Sequence, residues 1–155
     1  MTYVFDLDGT LVDTRLAVEK AYAYAGVVMP EFAWGRPWYE WLDDAQVHAV
    51  KTRVYPQFVK QFATPMPLLE HALRLNALVI TGASVSAVLA IQQAFAPTLR
   101  VALTGASLAE KIEFLNFMPG PLTGIYVDDN AQARCDIARE TRWQVQTPAE
   151  CLQSF

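Results

Sequence analysis

The 155-residue chain has few of the residues that stabilise disulfide-rich or zinc-binding domains. It contains two cysteines, Cys135 and Cys151, and two histidines, His48 and His71. The cysteines show neither a metal-ligand spacing nor a disulfide framework. The histidines have no metal-ligand partners at useful spacing, so both are expected to be structural or to face solvent. We therefore expect neither a structural metal site nor a disulfide scaffold, and a reduced cytoplasmic setting is the default.

The sequence also lacks long apolar runs and an excess of positive charge. No stretch is long enough to span a bilayer, and no signal-peptide pattern precedes the first strand-like segment. The formal net charge of −4 argues against a general nucleic-acid binder. Hydrophobic residues make up 53% of the chain, enough for the core of one domain with a small insertion. We expect neither a membrane nor a nucleic-acid partner, and the oligomeric state is left open.

Two closely spaced carboxylates in residues 4–14 are the most informative feature that is present. An apolar, strand-like run leads into Asp6 and Asp8, and Gly9 and Thr10 follow. Side chains two positions apart in a strand point to the same side, so the pattern predicts that the two carboxylates lie together where a buried strand ends. Like charges in such a place require a cation, a shared proton or separate environments.

Strand-like and helix-like segments alternate after residue 65. Strands that alternate with helices indicate a parallel sheet covered on both faces, with ligands at the carboxyl ends of its strands. The sequence thus predicts an α/β fold with a three-layer, Rossmann-like architecture. Ser107 with Glu110, and Thr147 with Glu150, form capping-box patterns that mark two helix starts. The predicted strands are residues 76–80, 99–103, 125–127 and 143–145, and the predicted helices are residues 84–96, 107–118 and 131–141.

Residues 15–64 interrupt this alternation and contain no convincing strand. Helical patterns cover residues 15–28, 38–50 and 51–62, and Pro56 is expected to kink or restart the last of them. We interpret the segment as a small all-helical domain inserted after the first strand. Residues 64–67 are the predicted return hinge to a core that comprises residues 1–14 and 65–155.

Aromatic residues are concentrated in this insertion. The group of Trp34, Trp38, Tyr39 and Trp41 fits either a small core within the insertion or a wall against which a substrate packs. Arg36 lies in the same region and could meet a second anionic group on a substrate. The sequence leaves both questions open.

Four polar elements follow or flank the predicted strands, and together they resemble the four motifs of the haloacid dehalogenase-like superfamily. The resemblance covers residues 1–14 and about 65–145, and it implies that residues 15–64 form a cap over the active site. The four elements are Asp6-x-Asp8-Gly9-Thr10, Thr81-Gly82, Lys111 and Asp128-Asp129.

The resemblance assigns different roles to the two aspartates of the first motif. Asp6 would be the nucleophile that forms an aspartyl-phosphate. Asp8 would be the general acid for the leaving oxygen and then the general base for water. Halide release needs no proton, and the dehalogenase branch lacks this second aspartate. The resemblance therefore implies phosphoryl transfer.

The remaining motifs would bind the phosphate. By the same resemblance, Thr81 donates its hydroxyl and Gly82 its amide to the phosphate. Lys111 neutralises the nucleophile and the transferring phosphoryl group. The backbone amides of Leu7 and Gly9 are further candidate donors.

Magnesium is the cofactor that the resemblance implies. Its ligands would be the carboxylate of Asp6, the backbone carbonyl of Asp8 and the carboxylate of Asp128, with water and substrate phosphate in the remaining positions. Asp129 would support the metal through water or orient Lys111. Many relatives have another aspartate a few residues later, but we expect Asp136 to be a surface charge of the helix.

The sequence therefore predicts an Mg²⁺-dependent phosphatase that acts on a small phosphorylated metabolite of nucleotide or sugar phosphate type. A phosphotransferase or phosphomutase of the same superfamily is the nearest alternative. A non-catalytic phosphate-binding protein or a phospho-acceptor signalling module is the alternative from a different class. Receiver domains of response regulators carry similar groups, but with the acidic pair first and the acceptor aspartate after it, so the motif order disfavours them.

Overall fold

A central five-stranded sheet organises the computed structural model, which describes residues 1–120 and 124–155. The sheet order is β5-β4-β1-β6-β7, and all neighbouring strands are parallel. Its strands are β1 (Tyr3–Phe5), β4 (Leu78–Ile80), β5 (Arg100–Leu103), β6 (Ile125–Val127) and β7 (Gln144–Gln146), and β2 (Val12–Asp13) and β3 (Thr64–Pro65) form a separate antiparallel pair. The helices are α1 (Arg15–Tyr24), α2 (Ala45–Phe62), α3 (Leu68–Arg74), α4 (Val85–Phe95), α5 (Leu108–Phe117), α6 (Ala131–Glu140) and α7 (Pro148–Leu152).

The sheet is buried on both faces, which explains the continuous apolar runs of its strands. Phe5 of β1 belongs to the hydrophobic cluster on one face, and Val4 belongs to the cluster on the other. Both side chains are 0% exposed. Residues of α1, α2, α3 and α4 pack into the first cluster, and residues of α5 and α6 pack into the second. The predicted α/β, three-layer architecture is confirmed.

The strand that carries the two aspartates is shorter than the sequence suggested. It ends at Phe5, and the next residues turn sharply because the Leu7 carbonyl accepts hydrogen bonds from the amides of Thr10, Leu11 and Val12. The expectation that the strand period points Asp6 and Asp8 to one side is therefore wrong, because neither residue belongs to β1. The turn gives each carboxylate its own neighbours.

The inserted segment is helical, but its helices begin and end elsewhere than predicted. Residues 38–50 do not form one helix: a short 3₁₀ helix covers Trp38–Glu40, and residues 45–50 belong to α2, which begins at Ala45. The reason is local, because the Asp44 carboxylate accepts hydrogen bonds from two backbone amides of the first turn and so caps α2. Pro56 does not restart the helix. It lies inside α2, which runs without interruption to Phe62.

A two-stranded pairing connects the ends of the insertion. Thr64 and Pro65, which the sequence placed in a return hinge, pair as β3 with Val12 and Asp13 of β2. The chain therefore leaves the sheet and returns to it along one antiparallel pair. Among the described residues, no helix is both long and apolar enough to cross a membrane.

Candidate functional site

The polar motifs meet at the carboxyl ends of three neighbouring strands. Asp6 directly follows β1, Thr81 directly follows β4, and Asp128 directly follows β6. All three side chains are buried. Because β1 lies between β4 and β6 in the sheet, these residues share one edge of it.

Lys111 pairs with the first of these carboxylates. Its Nζ donates a hydrogen bond to Asp6 Oδ1 at 2.9 Å and lies 3.8 Å from Asp128 Oδ2. Burial alone would lower the pKa of Lys111, but the negative charges of Asp6 and Asp128 raise it above its ordinary value. The ammonium group is therefore held protonated beside Asp6.

Three carboxylates form a cluster at the same edge. Asp6, Asp128 and Asp129 each offer a carboxylate oxygen, and these oxygens lie within 4.8 Å of one another. Burial and then the charge of Asp128 raise the pKa of Asp6 well above its ordinary value, and the same two causes raise the pKa of Asp129 to about 6. This set of hard oxygen ligands with unfavourable mutual repulsion fits Mg²⁺.

Gly9 lets the first motif approach the fourth. Its φ is +78°, and a Cβ at this position would lie 2.7 Å from Asp129 Cγ, so no other residue fits without displacement. Thr10 fixes this contact, because its Oγ1 accepts a hydrogen bond from the Asp129 amide and lies 3.3 Å from Asp129 Oδ1. Asp129 thus contacts Thr10, whereas Asp6, Asp128 and Tyr126 contact Lys111.

Asp8 occupies a separate environment. Its Oδ1 accepts a hydrogen bond of 2.7 Å from the Thr14 hydroxyl, a fully buried side chain. Burial raises the pKa of Asp8, while the Thr14 hydrogen bond and the charges of Lys51 and Lys111 oppose this rise. A carboxyl group with a raised pKa beside a second carboxylate in a different environment is suited to proton transfer.

Thr81 is fully buried, and its Oγ1 accepts a hydrogen bond from the Ala83 amide at 3.0 Å. Its side chain does not cap α4, since Ser84 is the capping residue. The hydroxyl proton of Thr81 has no acceptor among the described residues. Gly82 lies against the next loop, where a Cβ would be 3.3 Å from the Ala106 carbonyl oxygen.

The two predicted amide donors differ. The Gly9 amide donates to the Val12 carbonyl at 2.8 Å, so it is engaged within the turn and is not free for a phosphate. The expectation that Gly9 is a phosphate donor is therefore corrected: its role is the turn and the close approach of Asp129. The Leu7 amide donates to no acceptor within residues 1–120 and 124–155.

The sequence patterns did not identify two residues that contact Asp128. The Tyr126 hydroxyl donates to Asp128 Oδ2 at 2.7 Å and accepts from Lys111 Nζ at 3.2 Å. It therefore connects Lys111 to Asp128. Arg134 donates to the Asp128 backbone carbonyl at 2.8 Å. Side chains two positions apart in a strand point to the same face, so the position of Tyr126 two residues before Asp128 could have indicated their contact. No comparable signal marked Arg134.

Three residues that the sequence placed outside the site, His48, His71 and Asp136, are not part of the carboxylate cluster. Asp136 pairs with Arg139 on α6 and lies outside the carboxylate cluster, but its side chain is only 16% exposed, so it is less exposed than the expected surface charge. His71 stacks on Phe155, and the Tyr22 hydroxyl lies 2.9 Å from Nδ1 of His48. Neither histidine is near enough to the carboxylates to join the three-residue cluster.

The insertion reaches the edge of the site. At Gly35, a Cβ would lie 3.2 Å from Asn130 Nδ2, beside the Asp128-Asp129 pair. The aromatic residues of the insertion also contact one another: Trp38 stacks on His48, and Trp41 meets Tyr22 edge to face. These contacts hold residues 38–41 against α1 and α2, and Trp38, Trp41 and His48 are partly buried.

Solved structures with a similar fold align over nearly the whole chain. A candidate phosphoglycolate phosphatase from Lactobacillus plantarum has a TM-score of 0.65 and 14% identity, covering 99% of this chain and 98% of that chain. A haloacid dehalogenase-like family hydrolase from Streptococcus pneumoniae has a TM-score of 0.61 and 17% identity, covering 99% and 97%. A candidate beta-phosphoglucomutase from Thermotoga maritima has a TM-score of 0.59 and 15% identity, covering 99% and 98%.

These likenesses identify the class of fold. The chain has the haloacid dehalogenase-like fold, as the four motifs implied. No protein-family model matches the sequence, and no curated protein gives a significant match. The activity is therefore argued from the site itself.

Proposed function

We propose that the protein is an Mg²⁺-dependent phosphatase that hydrolyses a small phosphomonoester of nucleotide or sugar phosphate type. The observation that carries the proposal is the ion pair between Lys111 and Asp6, placed beside Asp128 and Asp129 at one edge of the sheet. Lys111 offsets the charge of Asp6, and it would also offset charge on a transferring phosphoryl group. Phosphorylated small molecules are the partners that this site would take.

The proposed reaction has two steps in which the aspartates act in turn. An Asp6 carboxylate oxygen attacks phosphorus, the bond to the leaving oxygen breaks, and Asp8 gives that oxygen its proton. Water then attacks the phosphorus of the aspartyl-phosphate and gives a proton to Asp8, which releases inorganic phosphate and restores Asp6. Asp8 suits this role because burial raises its pKa, and because Thr14 fixes its carboxylate with a hydrogen bond.

Phosphate binding is assigned to donors that follow β1 and β4 and to Lys111, whose ammonium also pairs with Asp6. The Thr81 hydroxyl, the amides of Gly82 and Leu7, and the ammonium of Lys111 would orient the phosphate. Asp6, Asp128 and Asp129 would hold Mg²⁺ together with the Asp8 carbonyl. A bound Mg²⁺ would neutralise the carboxylates and help to orient the phosphate oxygens.

The insertion is proposed to be a small cap, formed by residues 15–64 on a core of residues 1–14 and 65–155. Two contacts support this division. The chain enters and leaves the insertion through the paired strands β2 and β3, and Gly35 in the insertion lies next to Asn130. A cytoplasmic location remains a prediction from the sequence.

Phosphate release by site variants tests the function. The substrates are an aryl phosphate and a panel of phosphomonoesters, assayed with Mg²⁺ and with chelator. Asp6→Asn is expected to reduce release to background because the nucleophile is lost. Asp8→Asn is expected to lower it by about 10²- to 10⁴-fold because the proton donor is lost. Asp136→Asn, which changes the same residue type outside the carboxylate cluster, is the matched control with full activity.

The same assay separates the alternatives. Turnover that survives Asp6→Asn or chelation contradicts the proposed mechanism. Product formation only with an added hydroxyl acceptor identifies a phosphotransferase or mutase. A stable phosphorylated Asp6 without turnover identifies a phospho-acceptor module.

A further inference from the structure

One buried hydroxyl group contacts both Lys111 and Asp128. It belongs to Tyr126 of β6, whose side chain is 0% exposed. The ring packs in the hydrophobic cluster that includes Val4 and Ile80, where the ring of a phenylalanine would also fit. A buried hydroxyl needs hydrogen-bond partners to offset its desolvation. Both of its partners belong to the candidate site, so the hydroxyl serves the site rather than the packing of the core.

The hydroxyl is an acceptor for Lys111 and a donor for Asp128. It accepts a hydrogen bond from Lys111 Nζ at 3.2 Å and donates one to Asp128 Oδ2 at 2.7 Å. A phenol hydroxyl has one proton and free lone pairs, so it can fill both roles at once. The ammonium itself lies 3.8 Å from Asp128 Oδ2, which is too far for a hydrogen bond. The lysine and the aspartate are therefore linked through a neutral group.

Without this hydroxyl, Lys111 and Asp128 would be expected to form a direct ion pair. Opposite charges attract strongly in a buried site, where the effective dielectric constant is low. Two hydrogen bonds hold the ammonium in place, one to Asp6 Oδ1 at 2.9 Å and one to Tyr126. If the second were lost, its proton could turn to Asp128 Oδ2. An ammonium paired there would oppose the binding of any other cation to Asp128.

Both carboxylate oxygens of Asp128 accept hydrogen bonds from neutral donors. Oδ1 accepts from the Asn130 amide at 2.8 Å, and Oδ2 accepts from the Tyr126 hydroxyl. Each carboxylate oxygen can accept more than one bond. Asp128 is thus held in a fixed orientation by neutral groups and retains lone pairs for a cation.

We propose that Tyr126 is a positioning residue whose hydroxyl keeps Lys111 on Asp6 and so reserves Asp128 for a divalent cation. This inference rests on the proposed function, in which Asp6 is the nucleophile and Asp128 helps to hold Mg²⁺. Groups that hydrogen-bond to a metal ligand commonly act by orienting that ligand. Tyr126 acts differently, because it withholds a competing ammonium from the ligand.

Calorimetric titration with Mg²⁺ measures this effect without turnover. Tyr126→Phe should weaken Mg²⁺ binding by about 10- to 100-fold, the range typical for the loss of a partner of a metal ligand. Half-maximal phosphate release by this variant should need a correspondingly higher Mg²⁺ concentration. Tyr24→Phe, which changes an exposed tyrosine of α1, is the matched control and should bind Mg²⁺ as the wild type does. Tyr126→Met, which also lacks the hydroxyl, replaces Tyr126→Phe if that variant does not fold.

A double-mutant cycle with Lys111→Met separates this role from a merely structural one. Once the ammonium is absent, the hydroxyl has nothing to withhold. In that background, Tyr126→Phe should change the Kd for Mg²⁺ by no more than about twofold, the usual error of additivity. Equal losses of affinity in the two backgrounds would show that Tyr126 only orients Asp128, and the inference would be overturned.

A crystal structure of metal-free Tyr126→Phe gives a measurement that does not depend on Lys111→Met. Lys111 Nζ, which lies 3.8 Å from Asp128 Oδ2 in the wild type, should move to about 2.9 Å from it, the distance of a charge-assisted hydrogen bond. An ammonium that stays in its wild-type position overturns the inference.

The outcomes separate this inference from the proposed function. Wild-type Mg²⁺ affinity in Tyr126→Phe, with normal phosphate release by the wild type, rejects the inference and leaves the proposed function standing. If the expected cycle is measured but the wild type hydrolyses no phosphomonoester, the proposed function fails and the role of Tyr126 stands. A wild-type protein that binds no Mg²⁺ rejects both the inference and the proposed metal site.

Discussion

At the scale of single residues, the site depends on how each carboxylate is partnered. Asp6 pairs with Lys111, Asp8 accepts from Thr14, and Asp128 accepts from Tyr126. These partners give chemically identical side chains different properties. Burial raises the pKa of both Asp6 and Asp8, but only Asp6 is neutralised by a direct ion pair.

The Tyr126 hydroxyl offers a direct test of this network. Tyr126→Phe removes one hydrogen bond to a carboxylate and one from an ammonium while keeping the buried ring. We expect the free energy of unfolding of the metal-free protein to fall by about 1.5–3 kcal/mol. Denaturant titration measures the change. Tyr39→Phe, which changes an exposed tyrosine, is the control and should leave stability unchanged.

The raised pKa of Asp129 predicts that the stability of the metal-free protein depends on pH. Its pKa is raised from 3.8 to about 6 in the folded state, so the folded protein binds more protons between these values than the unfolded chain does. Stability associated with this group is present below about pH 4 and is lost as pH rises through about 6. Asp129→Asn should therefore be more stable than the wild type above pH 6 but not below pH 4.

Thermal denaturation in the presence of chelator from pH 3.5 to 7.5 measures this difference. Asp136→Asn serves as the control because its carboxylate lies outside the cluster. A stability difference between Asp129→Asn and the wild type that does not vary with pH contradicts the assignment.

At the scale of elements, local signals decided where several helices begin. The capping boxes at Ser107 and Thr147 are present, with both reciprocal hydrogen bonds. Patterns that span more residues were less reliable. Residues 38–50 carry a helical pattern, yet α2 begins at Ala45, where the Asp44 side chain caps it. Pro56 was expected to kink or restart the helix, but it lies inside α2, which packs against α1 and α4 and continues to Phe62.

The two capping boxes form a matched pair for a test. Ser107→Ala and Thr147→Ala should each lower the free energy of unfolding by about 1 kcal/mol, because each leaves amides of a first helical turn without an acceptor. Only Ser107→Ala should also lower phosphate release, since α5 carries Lys111 whereas α7 carries no site residue. Equal effects of the two variants on activity would argue against α5 as the element that positions the lysine.

At the scale of the whole molecule, three strands and the inserted segment meet at one acidic edge. The clustered charges of Asp6, Asp128 and Asp129 oppose folding unless a cation binds. A cation that binds only the folded state stabilises it by mass action. The acidic cluster therefore links metal binding to the stability of the entire fold.

Added Mg²⁺ should raise the melting temperature of the protein. At a concentration of about 100 times Kd, the expected gain in the free energy of unfolding is about 2.7 kcal/mol. Differential scanning calorimetry with a Mg²⁺ series measures it. Asp128→Asn should greatly reduce the gain, while Asp136→Asn should keep it. A melting temperature that is independent of Mg²⁺ contradicts the proposed metal site.

The sequence by itself determined the parallel α/β fold, because the alternation of apolar strands and helices is a local pattern. It also placed Asp6, Thr81 and Asp128 at strand ends, which a parallel sheet brings to one edge. Only the tertiary structure decided which groups these residues contact. The turn after β1 engaged the Gly9 amide, and it gave Asp8 the Thr14 hydroxyl as its hydrogen-bond partner. Such contacts depend on distances across the fold, which neither residue type nor periodicity specifies.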